Sequence, residues 1–308
     1  MNLIPLRTKQ IGFSSLFRMT KSRPIKIPFA FKMIRWVFPK LEKISTRLSG
    51  WYFEKIFFTP FRYKTPEKEL EAESTAQLFS VTSAGRKIQC YQWGDETKPY
   101  VLVVHGWAGR STQFRRFIPP FNNAGYRIIG FDGPAHGKSE GKRTSIAEFE
   151  EVMKAISAMK GNPEAIIAHS FGGGASLYAI SKGLPVKTLI NIASPTMADR
   201  IIQSYLKAIG GSWKTGENFK ELIQKRYGKS FEEFTALYLI KHVPQDLRIM
   251  LVHDEQDKEV DINHVHELIK IFPSARLLQT KGLGHNRILK DDAVIGDCLS
   301  FVTGKSLV

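Results

Sequence analysis

Cysteine and long apolar runs are both scarce in this sequence of 308 residues. Its two cysteines, Cys90 and Cys298, cannot supply the disulfide framework of a small secreted domain, and such usage fits a reducing compartment. No run approaches the roughly 18 apolar residues of a membrane span, and the first 30 residues lack the pattern of a secretory signal. We therefore expect a cytoplasmic protein in which both cysteines are buried apolar side chains.

Motifs for metals and nucleotides are missing as well. No group of His, Cys, Asp and Glu residues has a recognisable metal-ligand spacing. The consecutive Gly172, Gly173 and Gly174 lack the spacing of the phosphate-binding G-x-G-x-x-G fingerprint. We predict neither a metal nor a cofactor.

Acidic residues are scarce in one region only. The net charge of +16 comes mostly from residues 1–64, which hold 14 Lys/Arg and, as acids, only Glu42 and Glu54. The rest of the chain holds 31 Lys/Arg and 27 acids, so its charge is nearly balanced. Because the basic excess is confined to an N-terminal arm and no reading motif occurs, we expect no nucleic-acid partner.

The arm is also rich in aromatic residues over residues 24–64. Pro39 is followed by Leu41, Ile44 and Leu48 at helical spacing and then by Ser49-Gly50, which predicts a short amphipathic helix ending there. Two roles remain open for it. Its apolar stripe packs on the body of the protein, as most amphipathic helices do, or residues 1–64 lie peripherally on an anionic membrane surface.

From residue 76 onwards, apolar runs typical of strands alternate with helical spacing. A hairpin over residues 77–94 turns at Ala84-Gly85, and YVLVVHG (100–106) is apolar throughout, as in a strand buried on both faces. Further strands are predicted at 126–132, 165–170, 186–194, 247–254 and 275–280, and helices around 114–124 and over 145–159, 171–181, 262–271 and 291–302. This alternation predicts an α/β fold with a mostly parallel sheet flanked by helices.

Residues 195–244 interrupt the alternation with helical, aromatic-rich segments and no strand. An insertion between two strands of an open α/β sheet lies at their C-terminal ends, where ligands bind. We therefore divide the chain into an arm (1–75), a core (76–194 and 245–308) and a small helical lid (195–244).

The stretch AIIAHSFGGGAS (165–176) places Ser170 between a strand and a helix. A serine on such a sharp turn is strained and exposed, and it needs small neighbours two residues away on each side. Ala168 and Gly172 meet this need, and we expect Gly173 and Gly174 to let the helix pack close to the sheet. Without catalytic partners, Ser170 would be read as a helix cap.

A nucleophilic serine needs a base, and the base needs an acid that holds its tautomer. The strand over 247–254 ends in a loop with Asp254, Glu255 and Asp257, and His285 follows the next strand. Loops at the C-terminal ends of neighbouring strands converge, so these side chains can meet Ser170. We favour Asp257 as the acid because it lies within the turn, with Asp254 or Glu255 as alternatives.

An oxyanion in such a site needs backbone N–H donors, for which we predict Phe171, after the serine, and Trp107 in the loop HGWAGRS (105–111). We expect His105 and His169 to orient loops. Together with Trp213 of the lid, these two histidines are also our candidates for lining a substrate pocket.

Residues 76–308 resemble the α/β-hydrolase fold family, in the form with a short helical lid. The resemblance rests on HGW (105–107), FDGPAHGKSEG (131–141), AHSFGG (168–173), HDEQD (253–257) and GLGH (282–285), in the family's order. It implies a catalytic triad of Ser170, Asp257 and His285 and an oxyanion hole at Trp107 and Phe171. Ala168 departs from the family's usual glycine, and Gly133-Pro134-Ala135 is a local variation of its Asp-x-Pro-Gly-His-Gly-x-Ser loop.

The resemblance implies a serine hydrolase that cleaves small carboxylic esters through an acyl-enzyme. A serine in the nucleophile position disfavours the family's dehalogenases and epoxide-opening enzymes. Thioesterase, amidase or aminopeptidase, C–C hydrolase and membrane-surface lipid-ester hydrolase activities remain alternatives. A non-catalytic binding protein on the same fold is the rival from another class.

Overall fold

The computed structural model of the chain describes residues 29–305, with side chains from Lys32 onward. The part of the arm before residue 29, with its predicted role at a membrane, lies outside the described residues. Within the described part, eight strands form one sheet, whose bounds are β1 Gln77–Ser83, β2 Arg86–Trp93, β3 Tyr100–Val104, β4 Arg127–Phe131, β5 Ala165–His169, β6 Thr188–Ile192, β7 Arg248–Asp254 and β8 Arg276–Thr280.

The strands lie in the order β1-β2-β4-β3-β5-β6-β7-β8. The β1–β2 and β2–β4 pairs are antiparallel and all the others are parallel. Ala84 and Gly85 have φ values of +46° and +71°, which join β1 and β2 through the predicted tight turn. Every residue of β3, β4, β5 and β6 is buried, as their apolar sequences predict. The predicted α/β fold is confirmed.

Helices cover both faces of the sheet. The described α-helices are α1 Phe29–Ile44, α2 Thr46–Phe57, α3 Glu67–Ser74, α4 Ile118–Asn123, α5 Ile146–Lys160, α6 Phe171–Ser181, α7 Ala198–Ile209, α8 Trp213–Tyr227, α9 Ala236–Leu239, α10 Asn263–Ile271, α11 Gly284–Arg287 and α12 Asp292–Thr303. Helices α5, α6 and α10 pack on one face and α4 and α12 on the other. Cys90 and Cys298 lie fully buried, one in each core, as predicted.

The described part of the arm contains three helices, and the first two, α1 and α2, lie where one short helix was predicted. The predicted bounds were wrong: Pro39 lies inside α1, and the break comes at Ser45, whose side chain accepts a hydrogen bond from Leu48 N–H and caps α2. Ser49 and Gly50, expected to end the helix, are buried within α2. A Cβ on Gly50 would lie 2.8 Å from that of Asn218, so the glycine allows α2 to approach α8 closely.

The insertion between β6 and β7 is helical and contains α7, α8 and α9 and no strand, as the sequence predicts. Its helices α7 and α8 share an apolar cluster with α1 and α2. Phe38, Phe53 and Phe219 are completely buried in this cluster. One face of the arm therefore packs on the protein itself.

Candidate active site

Ser170 stands at the turn between β5 and α6 with φ = +53° and ψ = −122°. A residue with a side chain rarely adopts a positive φ, so the surrounding structure must hold this strained turn in place. Ser170 is the N-cap residue of α6, yet its side chain makes no capping hydrogen bond. Helix capping therefore does not explain why a serine occupies this position.

Two of the three glycines after Ser170 permit close packing. A Cβ on Gly172 would lie 2.7 Å from the carbonyl oxygen of His105 and still closer to that of Val104. A Cβ on Gly173 would overlap the side chain of Asn191. A Cβ on Gly174, by contrast, would have no neighbour within 4 Å, so our expectation that this glycine serves packing was wrong.

His285 and Asp257 meet at the C-terminal edge of the sheet. Nδ1 of His285 lies 2.7 Å from Oδ2 of Asp257. The other carboxylate oxygen accepts hydrogen bonds from the backbone N–H groups of Glu259 at 2.8 Å and Val260 at 3.0 Å. Burial opposes ionisation of Asp257, but these three hydrogen bonds outweigh it and hold its pKa below the usual value.

The alternative acids have other partners. The fully buried Asp254 accepts hydrogen bonds from Leu283 N–H at 2.9 Å and from Thr280 Oγ1 at 2.8 Å. Glu255 is exposed and accepts a hydrogen bond from Gln279. Asp254 thus ties the loop that carries His285 to the end of β7, and Asp257 is the acid that reaches the histidine.

His169 links the turn at Ser170 to the His285 loop. Its Nε2 donates a hydrogen bond of 2.9 Å to the carbonyl oxygen of His285, and the centroids of the two rings are 4.7 Å apart. His169 is 3% exposed, and its Nδ1 has no partner among the described residues. Burial lowers its pKa to about 3, so the ring is neutral. Because its ring is buried and hydrogen-bonded to the His285 loop, His169 fits the role of orienting that loop better than the role of lining a substrate pocket.

His105 is fully buried and cannot line a pocket. Its Nδ1 donates to the carbonyl oxygen of Gly106 at 2.7 Å, and its Nε2 accepts from Gly133 N–H at 2.8 Å. Burial lowers its pKa to about 4. His105 therefore holds the loop after β3 against the loop after β4, the orienting role that we expected of it.

The predicted oxyanion donors lie in adjoining loops. A Cβ on Gly106 would lie 3.0 Å from that of Ser170, so the loop carrying Trp107 passes directly beside the serine. The Trp107 and Phe171 rings meet edge to face at a centroid distance of 5.2 Å. Within residues 29–305, the backbone N–H groups of Trp107 and Phe171 form no hydrogen bond, which leaves them available to a substrate oxygen.

Trp213, predicted to line the pocket, lies elsewhere. It packs beside Gly216 in the apolar cluster that α7 and α8 share with the arm. Tyr205 of the insertion contacts the loop after β3, and its ring centroid lies 6.3 Å from that of Trp107. Helical spacing cannot distinguish these two roles, because both residues belong to apolar stripes of neighbouring helices.

Residues of the arm also contact the loops around Ser170, which was not predicted from the sequence. Arg62 donates hydrogen bonds to the carbonyl oxygens of Ala135 at 3.0 Å and Ser139 at 2.6 Å. The buried Arg110 donates to the Tyr63 carbonyl oxygen at 2.9 Å and stacks on its ring. A sequence pattern does not show which loop a given arginine will contact, because such contacts depend on tertiary structure.

In the described part of the chain, no group of three or more His, Cys, Asp or Glu side chains is placed to hold a metal ion. The same part contains no helix of the length and apolarity that crossing a membrane requires.

Comparison with known proteins identifies the fold. A sequence model of the α/β-hydrolase fold matches residues 99–211. A probable serine hydrolase of Drosophila melanogaster is 25% identical over 229 residues, which cover 71% of this chain and 61% of that protein. A monoacylglycerol lipase of Mycolicibacterium smegmatis is 29% identical over 92 residues, 27% of this chain and 33% of the lipase. The chain thus spans less than two thirds of either relative.

Among solved structures, an esterase from Pyrococcus furiosus has a TM-score of 0.61 at 17% identity, over 80% of this chain and 99% of the esterase. The strand order of the sheet, the segment matched by the sequence model and the similarity to the esterase all indicate the same fold. This chain therefore has the α/β-hydrolase fold.

Proposed function

We propose that this protein is a serine hydrolase that cleaves carboxylic esters through an acyl-enzyme, with Ser170 as nucleophile. One observation carries the proposal: Ser170, strained at φ = +53°, adjoins His169, which is hydrogen-bonded to the residue whose imidazole is paired with Asp257 at 2.7 Å. Strained backbone of this kind is concentrated at functional sites, where the surrounding structure maintains it.

In the proposed mechanism, the hydrogen bond to Asp257 keeps the proton of His285 on Nδ1 and leaves the Nε2 lone pair free. Ser170 Oγ attacks the ester carbonyl carbon while Nε2 accepts the hydroxyl proton. The alcohol leaves with that proton, and the acyl group remains on Ser170. Water, deprotonated by the same nitrogen, then attacks the acyl carbon; the bond to Ser170 Oγ breaks, the proton returns from Nε2 to Oγ, and the acid is released.

Asp257 stabilises the imidazolium that forms in each step. Its lowered pKa keeps it ionised at neutral pH, and its two backbone hydrogen bonds fix its orientation. The N–H groups of Trp107 and Phe171 are the proposed donors to the oxyanion. Losing one such donor typically costs about 100–1,000-fold in rate.

A lipase among the relatives and an esterase among the solved structures favour esters over amides as substrates, and a thioesterase domain with the same fold keeps thioesters as an alternative. Lipid esters at a membrane surface are a second candidate. One observation favours it: Trp36 and Ile44 of α1 are 66% and 80% exposed, although the opposite side of the same helix is buried.

The test is hydrolysis of p-nitrophenyl esters from acetate to laurate by the wild type and by Ser170→Ala. We expect the variant to lose turnover and labelling by a fluorophosphonate while its melting temperature stays within about 2 °C, the shift of a small stability change. Ser181→Ala, at the other end of α6, is the matched control and should retain both activities. Wild-type turnover by Ser170→Ala would disprove the mechanism.

A further inference from the structure

The helices α1 and α2 each present apolar side chains to solvent. We call these side chains the outer face; they are Met33, Trp36, Val37, Ile44, Leu48 and Trp51, each at least 37% exposed. Within each helix they recur at spacings of three, four or seven residues, so they form a stripe. The opposite stripe contains the buried Phe38 and Phe53, which pack on the insertion. Self-packing therefore accounts for only one side of each helix.

The charges around the outer face have a single sign. Residues 29–57 hold six bases, which are Lys32, Arg35, Lys40, Lys43, Arg47 and Lys55. Among residues 32–305, none of the six forms an ion pair. Lys40 lies 3.2 Å from the ring centroid of Trp36, and Lys55 lies 3.3 Å from that of Trp51.

Both acids of this segment point away from the outer face. Glu42 accepts hydrogen bonds from Ser212 at the start of α8, at 2.8–3.1 Å. The buried Glu54 pairs with Arg226 near the end of α8. The carboxylates thus hold the arm on the insertion, and the exposed side keeps uncompensated positive charge.

We propose that the outer face docks on an anionic phospholipid surface and so brings ester-bearing lipid to the site, an inference that rests on the proposed function. Tryptophan rings suit the headgroup region, since they combine an apolar body with a polar N–H, and lysines there attract anionic lipids. A second copy of the chain fits less well, because its outer face would bring like charges together.

The docking helices are in contact with the site through the insertion. Phe57, at the end of α2, lies 4.6 Å from Tyr205 of α7 between ring centroids, and Tyr205 lies 6.3 Å from Trp107. The Tyr205 ring therefore bridges the arm and the loop of the proposed oxyanion hole. A membrane bound by the outer face would be separated from the insertion only by the thickness of α1 and α2, about 10 Å.

The test is co-sedimentation of the full chain with vesicles of phosphatidylcholine alone and of equal parts phosphatidylcholine and phosphatidylglycerol. We expect binding only to the second, weakening with salt. Since each lysine near such a surface contributes about fivefold, Lys40→Glu/Lys43→Glu should lower binding by at least about 25-fold. Trp36→Ser/Ile44→Ser should lower it by at least about tenfold through lost apolar burial.

Matched controls carry the same changes elsewhere on the surface. Lys98→Glu/Lys187→Glu removes exposed charge from the core, and Leu78→Ser/Met159→Ser removes two apolar side chains that are each 55% exposed. Both should bind the anionic vesicles as the wild type does. Circular dichroism of each variant checks that it is folded.

Three results would overturn the inference: outer-face variants that bind like the wild type, equal binding to both kinds of vesicle, or a lipid-free dimer that Trp36→Ser/Ile44→Ser makes monomeric. The proposed function is tested separately. Ser170→Ala should still bind vesicles, and a wild type that hydrolyses soluble esters without binding vesicles would refute the docking surface alone.

Discussion

Asp257 and His285 are joined by a hydrogen bond of 2.7 Å, although 27 residues separate them along the chain. The bond forms because Asp254, three residues before Asp257, holds the backbone of Leu283 at 2.9 Å. One carboxylate therefore places the loop, and the other contacts the imidazole. The two acids of this turn have distinct roles that replacement can separate.

Asp257→Asn should lower kcat for a p-nitrophenyl ester by about 10³–10⁴-fold with little change in KM, because an amide no longer stabilises the imidazolium or holds its tautomer. Steady-state kinetics at neutral pH provide the measurement.

Asp254→Asn is the matched comparison for Asp257→Asn. It should lower the melting temperature by several degrees, since it removes charge from a buried carboxylate with backbone and side-chain donors, while its kcat falls less. If the two variants lose activity equally, the division of roles is wrong.

Gly172→Ala should destabilise the protein by about 1–3 kcal/mol or prevent folding, because the new methyl group would overlap backbone atoms of Val104 and His105, which cannot rotate away. Gly174→Ala, two residues along the same helix, should instead stabilise it by about 0.5–1 kcal/mol through helix propensity, since no atom lies within 4 Å of the added Cβ. Urea unfolding of both variants measures the difference, and equal effects would contradict the packing described for Gly172.

Stability should fall steeply below about pH 6.5, the pKa of histidine in an unfolded chain. Burial lowers the pKa values of His105 and His264 to about 4 and those of His136 and His169 to about 3, and it lowers the pKa of His253 as well. Between these values and 6.5 the unfolded chain binds protons that the folded protein does not, so acid favours unfolding. Above pH 6.5 these imidazoles are neutral in both states and carry no penalty, and the four with pKa values of about 3 to 4 together cost about 5 kcal/mol per pH unit towards pH 4.5.

Urea unfolding from pH 7.5 to 4.5 measures this slope. His136→Gln should reduce it by about a fifth to a quarter, whereas replacement of the exposed His242 by Gln should leave it unchanged. A slope that is the same in the wild type and in His136→Gln would show that the buried imidazole is not its source.

Periodicity in the sequence was sufficient for the α/β core, because its strands are short apolar runs and its helices repeat every three to four residues. The predicted bounds of α6 agree with the structure, and the predicted β1 starts and ends at the observed residues. Apolar burial drives these local patterns, so they are readable without tertiary contacts. The arm was predicted less well, since one proline and one Ser-Gly pair were read as helix ends although both are accommodated within helices.

The sequence by itself determined the order of the core elements and the loops on which Ser170, Asp257 and His285 lie, because strand order and hydrophobic pattern place those loops at one edge of the sheet. Tertiary structure alone decided which acid reaches the histidine, which glycines are crowded, and which insertion aromatic meets Trp107. These are differences of a few ångströms between neighbouring side chains, and they depend on contacts between segments far apart in the chain. The direction that α1 and α2 face was likewise decided by tertiary contacts, since Phe38 and Phe53 are buried against the insertion and Glu42 and Glu54 find partners at α8.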